Sequence, residues 1–246
     1  MRTIHQVGII GYGQFGSFIH HLLKTYAPHL TVLRYDPLFS SEQSDTLHTV
    51  CASDIVFLSV PVRVLQETIT HIASLVSPTT LVIDVSTVKE KPVERLQHLR
   101  HRCLFLATHP MFGPYSYQKK WSLHWLRLVV CDHNLSDDQY AAICACFRLL
   151  QLDTIVMSAQ QHDKLLAESL FLTHYLTQTL ITAGLVRTEI DTVSFGNLMD
   201  VVESVKNDKA LFQDVRLYNP YCKKMLERWH AAQHQIENTL AALSGP

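Results

Sequence analysis

The stretch Val7–Gly16, which reads VGIIGYGQFG, decides the fold. An apolar run typical of a buried strand meets three glycines at the spacing G-x-G-x-x-G, and an apolar segment with helical spacing follows. In a dinucleotide-binding fold, Gly11 makes the tight turn, Gly13 admits the pyrophosphate to bare backbone, and Gly16 lets the helix pack close to the strand. The sequence therefore predicts a cofactor-binding turn between a strand and a helix.

The predicted cofactor site extends beyond the glycines. Gln14 and Phe15 open the helix, where free N–H groups and the helix dipole favour phosphate. A second apolar strand, over 30–35, ends in Asp36, twenty residues past Gly16. A carboxylate at this position would accept hydrogen bonds from the adenosine ribose hydroxyls. The alternative interpretation is an ordinary glycine-rich turn followed by a helix-capping Asp.

Composition excludes several classes of function. With 246 residues the chain suits one large or two modest domains, and its net charge of −1 provides no basic surface for nucleic acid or an anionic membrane. We find no apolar run of the roughly 20 residues that a membrane helix needs, and no signal-peptide pattern. The six cysteines lack the spacing of a zinc site and are interpreted as free thiols. We expect a cytoplasmic protein that binds a small molecule, without a metal, nucleic acid or membrane.

The organisation of the chain predicts two domains. Strands and helices alternate through 1–158, which indicates an α/β dinucleotide-binding domain of the Rossmann type, a doubly wound parallel sheet covered on both faces. From 159 to 246 no strand signal remains, and a long helix over 160–186 precedes three shorter ones. This all-helical domain carries much apolar surface, so we expect it to bind substrate and to form a homodimer.

Chemistry in such a sheet is expected where the strands end. Ser59, Val60 and Pro61 follow one strand and are predicted to lie beside the nicotinamide ribose, although an ordinary strand end explains them equally well. Thr87 follows the next strand and has a hydroxyl that can bind a substrate hydroxyl. Lys89 can hold the loop or an anion, and the alternative is a solvated or structural lysine.

His109 is the strongest single candidate for catalysis. It follows the apolar strand predicted over 104–107, on the cofactor side of the sheet, and Pro110 restricts the backbone behind it. A neutral imidazole, with an ordinary pKa of about 6.5, can accept a proton at working pH. We therefore predict that His109 is a general base.

Four motifs together resemble the prephenate/arogenate dehydrogenases. They are the glycine-rich turn, DVSTVK over 84–89, THPMFGP over 108–114, and QHDK over 161–164 followed by FLTH over 171–174. The pairing of HPMFGP over 109–114 with HDK over 162–164 and FLTH over 171–174 looks most like the plant-type arogenate branch. The resemblance covers nearly the whole chain.

The resemblance implies oxidative decarboxylation of a cyclohexadienol in tyrosine biosynthesis, with hydride transfer to NAD(P)+. A base is needed at the ring hydroxyl, which suits His109. Thr87 stands where the family has a Ser, and its hydroxyl can serve as the second hydrogen-bond partner. His174 resembles the family's substrate-side histidine, whereas His162 and Asp163 are expected to fix the junction between the domains.

The chain departs from the family pattern at several substrate and cofactor positions. The Arg that usually binds the substrate carboxylate aligns with Lys209, with Arg216 as an alternative, and a Lys offers a point charge without the bidentate fork. Tyr115 stands where many relatives have a Glu that can meet a substrate amine. Plant-type relatives generally use NADP, whereas Asp36 would repel a 2′-phosphate, so we predict NAD and leave NADP open.

Two alternatives compete with this interpretation. One is another small-substrate NAD(P) dehydrogenase with a helical second domain, a class that generally relies on a helical Lys. The other is a catalytically idle dinucleotide-binding protein, favoured by the departures at Thr87, Lys209 and Tyr115. The choice between prephenate and arogenate stays open at this point, because it depends on whether the pocket meets a keto group or an ammonium.

Overall fold

The computed structural model describes residues 3–39 and 44–243, and the chain divides into two compact units between His162 and Asp163. The first unit contains a seven-stranded sheet with helices, and the described part of the second contains helices only. The predicted domain limits, 1–158 and 159–246, differ from this division by four residues (162 against 158) and stay a prediction.

The sheet has the strand order β2-β1-β3-β4-β5-β6-β7. Its strands are β1 Gln6–Ile10, β2 Thr31–Tyr35, β3 Ile55–Leu58, β4 Leu81–Asp84, β5 Leu104–Pro110, β6 Arg127–His133 and β7 Asp153–Val156. The first five pair in parallel, as a Rossmann-type sheet requires. The predicted parallel sheet is confirmed except for one pair of strands, because β6 runs antiparallel to β5 and parallel to β7. An antiparallel neighbour needs no helical crossover over the sheet.

Helices cover this sheet because their apolar residues fall on one face. The helices of the first unit begin with α1 Gln14–Tyr26, α2 Leu47–Cys51, α3 Val62–Ile72 and α4 Glu90–Leu96, the last continued by a 3₁₀ turn, Gln97–Leu99. They continue with α5 Pro114–Lys120 and α6 Asp137–Leu149, and the division between the two units falls within the next helix, α7 Ala159–Leu166. Ser136 directly precedes the helical spacing that begins at Asp137, which predicts an N-cap, and the structure confirms it, since the Ser136 side chain accepts the Gln139 N–H in a complete capping box.

The stretch 115–125 is rich in aromatic residues and Lys, and its sequence predicts a loop. That prediction was wrong for α5, which occupies Pro114–Lys120. Pro114 occupies the first helical position, where its missing N–H is no loss. The helix ends at Trp121, which adopts a left-handed backbone with φ 48°. The aromatic and Lys content concealed a helical segment only two turns long.

The long helix predicted over 160–186 is interrupted and shorter. It consists of α7, a π-helical turn Ala167–Phe171, and α8 Leu172–Thr182. It ends before Gly184, whose φ of +73° suits a helix stop. The remaining helices, which the sequence predicts over 193–205, 209–217 and 220–243, are α9 Val193–Val205, α10 Lys209–Tyr218 and α11 Cys222–Ala242.

Candidate active site

The glycine-rich turn between β1 and α1 has the geometry of a dinucleotide cradle. Gly11 has φ +88°, and a Cβ there would lie 2.5 Å from the Ser59 carbonyl oxygen. A Cβ on Gly16 would lie 2.0 Å from the Gly11 carbonyl oxygen, so only glycine allows α1 to pack this close to the turn. A Cβ on Gly13 would meet no protein atom within 4 Å, which leaves open space in front of the α1 N-terminus. These residues fit a bound pyrophosphate.

The other predicted cofactor residues lie around the same turn. The Asp36 carboxylate accepts the Tyr12 N–H at 2.8 Å, so the acid at the end of β2 contacts the glycine-rich turn directly. The backbone at Ser59 packs against Gly11, and Val60 also borders it. Pro61 precedes the first residue of α3. The first unit thus brings the predicted pyrophosphate, ribose and nicotinamide contacts to one edge of the sheet.

A fully buried ion pair holds the next two strand ends together. The Lys89 ammonium contacts the Asp84 carboxylate, and both side chains are 0% exposed. Lys89 Nζ also donates to the Thr108 carbonyl oxygen at 2.5 Å, and the Thr108 hydroxyl donates to the Asp84 carbonyl oxygen at 2.8 Å. The structural interpretation of Lys89 is therefore correct. Thr87 is half-buried in the loop that this network fixes.

His109 lies inside β5 rather than beyond its end, opposite Val129 of β6. The strand extends past the predicted limit because β6 pairs with it. The pairing shifts register between Ala107 and Thr108, with Cys131 as the extra residue on β6. Such bulges redirect side chains and are frequent beside active sites.

His109 is held by a second histidine. Its Nδ1 lies 2.8 Å from Nε2 of His162, and both rings are buried. Burial, followed by the proximity of His162 and Lys89, places the pKa of His109 well below its usual 6.5. The imidazole is therefore neutral at working pH. Since Nδ1 is occupied by His162, Nε2 is the nitrogen left for a substrate.

The second unit contains a separate polar group around His174. This histidine is 3% exposed, and its ring stacks on Phe212 with the centroids 6.4 Å apart. Burial lowers the pKa of His174, and the nearby Asp208 carboxylate partly opposes that shift. Burial raises the pKa of Asp208 in turn. Asp208 precedes α10, and its side chain makes no capping hydrogen bond.

The three remaining predicted substrate residues occupy exposed positions. Lys209 and Arg216 lie in the first and last turns of α10. Tyr115 lies on α5, 44% exposed, with the Lys119 ammonium 4.6 Å from its ring centroid. The role of each in substrate binding stays a prediction.

Sequence reasoning missed two features of this region. The first is the bond from His162 to His109; the prediction that His162 and Asp163 lie at the domain junction agrees with the division of the chain between these two residues. The second is Asp208, which was overlooked because the adjacent Lys209 matched the family's cation position. A carboxylate next to a helix start usually signals a cap, so the sequence context gave no sign of its electrostatic influence on His174.

Comparison with known proteins bears on both units. The family model "Prephenate dehydrogenase, nucleotide-binding domain" matches residues 38–147, and the model "TYRAAT1-like, C-terminal domain" matches residues 179–244. Together they cover parts of the sheet-containing unit and of the helical unit.

Curated relatives and solved structures agree with these matches. Arogenate dehydrogenase 2, chloroplastic, of Arabidopsis thaliana is 26% identical over 96% of this chain and 70% of its own length. Arogenate dehydrogenase 1, chloroplastic, of the same plant is 29% identical over 96% of this chain, which spans only 39% of that protein. The fold is that of the A. aeolicus prephenate dehydrogenase in complex with hydroxyphenyl propionate and NAD+, with a TM-score of 0.75, 18% identity and coverage of 98% and 92% of the two chains.

The glycine cradle, the acid at the end of β2 and the buried histidine on β5 define a dinucleotide-dependent oxidoreductase of the Rossmann type. The curated relatives and the family model of the nucleotide-binding domain confirm the resemblance seen in the sequence. The chain resembles the prephenate/arogenate dehydrogenases, which are NAD(P)-dependent oxidoreductases, and among them the plant-type arogenate branch.

Proposed function

We propose that this chain oxidises and decarboxylates arogenate or prephenate, with NAD(P)+ as the hydride acceptor, in tyrosine biosynthesis. The observation that carries the proposal is the neutral, buried His109, whose Nδ1 is held by His162 at 2.8 Å. The reaction needs one base at the ring hydroxyl. A buried neutral imidazole with one nitrogen fixed provides that base in a defined orientation.

The proposed step balances without any further reagent. The ring carbinol carbon gives its hydrogen as hydride to the nicotinamide, while Nε2 of His109 takes the hydroxyl proton. The bond from the opposite ring carbon to its carboxylate breaks, carbon dioxide leaves, and its electron pair completes the aromatic ring. The proton returns to the phenolic oxygen of the product, and Thr87 is proposed as the second hydrogen-bond partner of that oxygen.

His162 has a defined task in this proposal. For Nε2 of His109 to accept a proton, Nδ1 must carry the hydrogen and donate it to Nε2 of His162. The same hydrogen bond stabilises the imidazolium that forms during the step. His162 is therefore proposed as a positioning residue for the base.

The dinucleotide supplies the hydride acceptor when it is bound, and this chain's residues position it. The backbone at Gly11, Gly13 and Gly16 and the N-terminus of α1 are proposed to hold the pyrophosphate. The Asp36 carboxylate, which accepts the Tyr12 N–H at 2.8 Å, is proposed to accept the ribose hydroxyls and to disfavour a 2′-phosphate. We therefore propose NAD as the preferred cofactor.

Asp208 favours arogenate within this proposal. Arogenate carries an ammonium on its side chain where prephenate carries a keto group. A half-buried carboxylate beside His174 attracts an ammonium and gains nothing from a ketone. Lys209, or alternatively Arg216, remains the proposed cation for the side-chain carboxylate, and Tyr115 a proposed substrate contact.

We also propose a homodimer formed through the helical unit. That unit exposes many large apolar side chains, including Val186 at 68%, Ile190 at 89%, Val193 at 83% and Leu217 at 75%. Exposed apolar surface of this extent is typical of a protein interface. None of the described helices is both long and apolar enough to cross a membrane. A cytoplasmic location stays a prediction.

Four initial rates test the proposed function: arogenate and prephenate, each with NAD and NADP, followed at the absorbance band of the reduced nicotinamide. We expect the fastest turnover with arogenate and NAD. We expect His109→Asn to lower kcat by about 10²- to 10⁴-fold while NAD still binds, because the base is removed and the cradle is not. The low pKa of His109 predicts that wild-type kcat is equal at pH 6 and pH 8.

His29→Asn is the matched control, because His29 is exposed, and it should keep wild-type rates. Full turnover by His109→Asn would contradict the catalytic role. NAD binding without turnover of either substrate would overturn the proposed function and support the catalytically idle alternative.

A further inference from the structure

Two unsatisfied polar atoms on α8 mark a site that the proposed function does not yet use. Among the described residues, four buried side-chain polar atoms have no hydrogen-bond partner, and two of them are Nδ1 of His174 and Nε2 of Gln178. Buried polar groups in native proteins are nearly always paired, so an unpaired one calls for an explanation. Two on one helix indicate a common partner.

The spacing of the two residues places them together. Residues four apart on an α-helix lie on the same face, one turn from each other, and both belong to the regular helix α8. The backbone carbonyl oxygen of Gln178 accepts the Thr182 hydroxyl at 2.7 Å, whereas the side-chain Nε2 has no partner.

The chemistry of the two atoms selects the ligand. An amide N–H is a donor, and a neutral imidazole nitrogen can donate as well, so together they match a group with two acceptor oxygens. A carboxylate is such a group, and its charge strengthens both hydrogen bonds. The two exposed cations of α10, Lys209 and Arg216, offer no comparable buried contact.

We propose that Gln178 is a substrate-binding residue, and that its amide and Nδ1 of His174 form a two-point site for the side-chain carboxylate of the substrate. This inference rests on the proposed function, whose substrates carry that carboxylate. The Asp208 carboxylate lies near enough to the same histidine to act on it electrostatically, so a group that carries an ammonium next to its carboxylate complements all three side chains. Arogenate and its aromatic product both have this arrangement.

The test compares ligands with and without the carboxylate. The probes are 3-(4-hydroxyphenyl)propionate and 4-ethylphenol, titrated by calorimetry into the NAD-loaded protein and into its Gln178→Leu variant. We expect the substitution to weaken binding of the carboxylate about tenfold to a hundredfold, because a hydrogen bond to a charged group is lost. Binding of 4-ethylphenol should change less than twofold.

Kinetics and stability supply independent measurements. Gln178→Leu should raise the KM for arogenate by the same factor as the dissociation constant of the carboxylate probe, with kcat within about threefold of wild type. The thermal midpoint of the free variant should be equal or higher, because leucine removes an unpaired amide. Gln233→Leu, at an exposed position of α11, is the matched control and should change none of these values.

The outcomes separate this site from the proposed function. The Gln178 site would be overturned if Gln178→Leu lost affinity equally for both probes or lost affinity for neither. It would also be overturned if the wild-type protein failed to bind the carboxylate probe. A Gln178-dependent carboxylate affinity in a protein that turns over neither substrate would keep the site and overturn the proposed function. Turnover of a substrate by the wild type, with an unchanged KM in Gln178→Leu, would keep the proposed function and overturn the Gln178 site.

Discussion

Lys89 illustrates how much depends on single buried charges in this protein. Its ammonium pairs with the Asp84 carboxylate and donates a hydrogen bond to the Thr108 carbonyl oxygen, and its side chain has no exposure to solvent. The desolvation of two charges offsets most of their attraction, so such a pair adds little net stability compared with an apolar pair. Its value lies in position, because it joins the loop that carries Thr87 to the strand that carries His109.

Replacing Lys89 by methionine should lower the free energy of unfolding by about 3–5 kcal/mol, because the Asp84 carboxylate would be left buried and unpaired. Urea-induced unfolding, followed by circular dichroism, measures the difference. Lys91→Met is the matched control, since Lys91 pairs with Glu94 at exposed positions and its replacement should change the free energy of unfolding much less. If Lys89→Met lowered the free energy of unfolding no more than the control does, the Asp84 charge would have to be compensated by other groups.

At the residue scale, sequence reasoning identified His109 and the Gly-rich turn but not their partners. The glycines carry a spacing that is visible along the chain, whereas the bond from His109 to His162 joins residues 53 positions apart. Lys89 was considered both as a ligand for an anion and as a structural residue, and only its burial decides between them. Gln178 stands four residues after His174, a spacing that was available in the sequence and was not used.

The turn between β1 and α1 assigns different tasks to two glycines of one element. Gly16 has no room for a side chain, since a Cβ would lie 2.0 Å from the Gly11 carbonyl oxygen. Gly13 has room toward the protein, and its backbone (φ −70°, ψ −160°) is one that other residues adopt. Gly16 is therefore required by the fold, and Gly13 by the ligand.

We expect Gly16→Ala to lower the free energy of unfolding by about 1–3 kcal/mol, because the helix or the turn must move to admit the methyl group. Gly13→Ala should change it by less than about 1 kcal/mol and raise the dissociation constant of NAD tenfold or more, because the methyl group occupies the pyrophosphate's place. Thermal unfolding measures the change in stability, and titration of the protein's intrinsic fluorescence with NAD measures the dissociation constant.

Gly113→Ala controls for the mere addition of a methyl group, since a Cβ there also meets no protein atom within 4 Å and this glycine lies outside the turn. It should leave both quantities unchanged. The assignment would be wrong if Gly13→Ala destabilised the fold and bound NAD normally.

At the element scale, the strands and most helices followed from alternation and apolar spacing. The exceptions have local physical causes. The helix α5 is short and rich in aromatic residues, so its periodicity covers too few turns to be recognised. The direction of β6 depends on the path of the segment that connects it to β5, and the residues of the strand itself do not indicate that path.

For the whole molecule, the buried histidines predict a dependence of stability on pH. Burial holds the pKa of His109 well below 6.5 and lowers that of His174, so both are neutral in the folded protein just below pH 6.5. In the unfolded chain they take up protons there. The unfolded state binds more protons, so the free energy of unfolding falls as the pH drops below 6.5.

Urea titrations at pH 7.5, 6.5 and 5.5 should show little change over the first interval and a clear loss over the second. His109 alone contributes up to about 1.4 kcal/mol per pH unit below 6.5. The variant His109→Asn should show a shallower loss, whereas exposed His29→Asn should follow the wild type. A wild-type stability independent of pH in this range would mean that His109 is not buried as a neutral group.

The π-helical turn Ala167–Phe171 has a consequence for comparing this chain with its relatives. Such a turn arises when a helix accommodates one additional residue, which rotates everything beyond it by about 100°. A homologue with an uninterrupted helix would carry the counterpart of His174 one position nearer to the counterpart of Asp163. Aligning such sequences correctly then requires a single-residue gap inside a helix, where alignment procedures ordinarily penalise one most heavily.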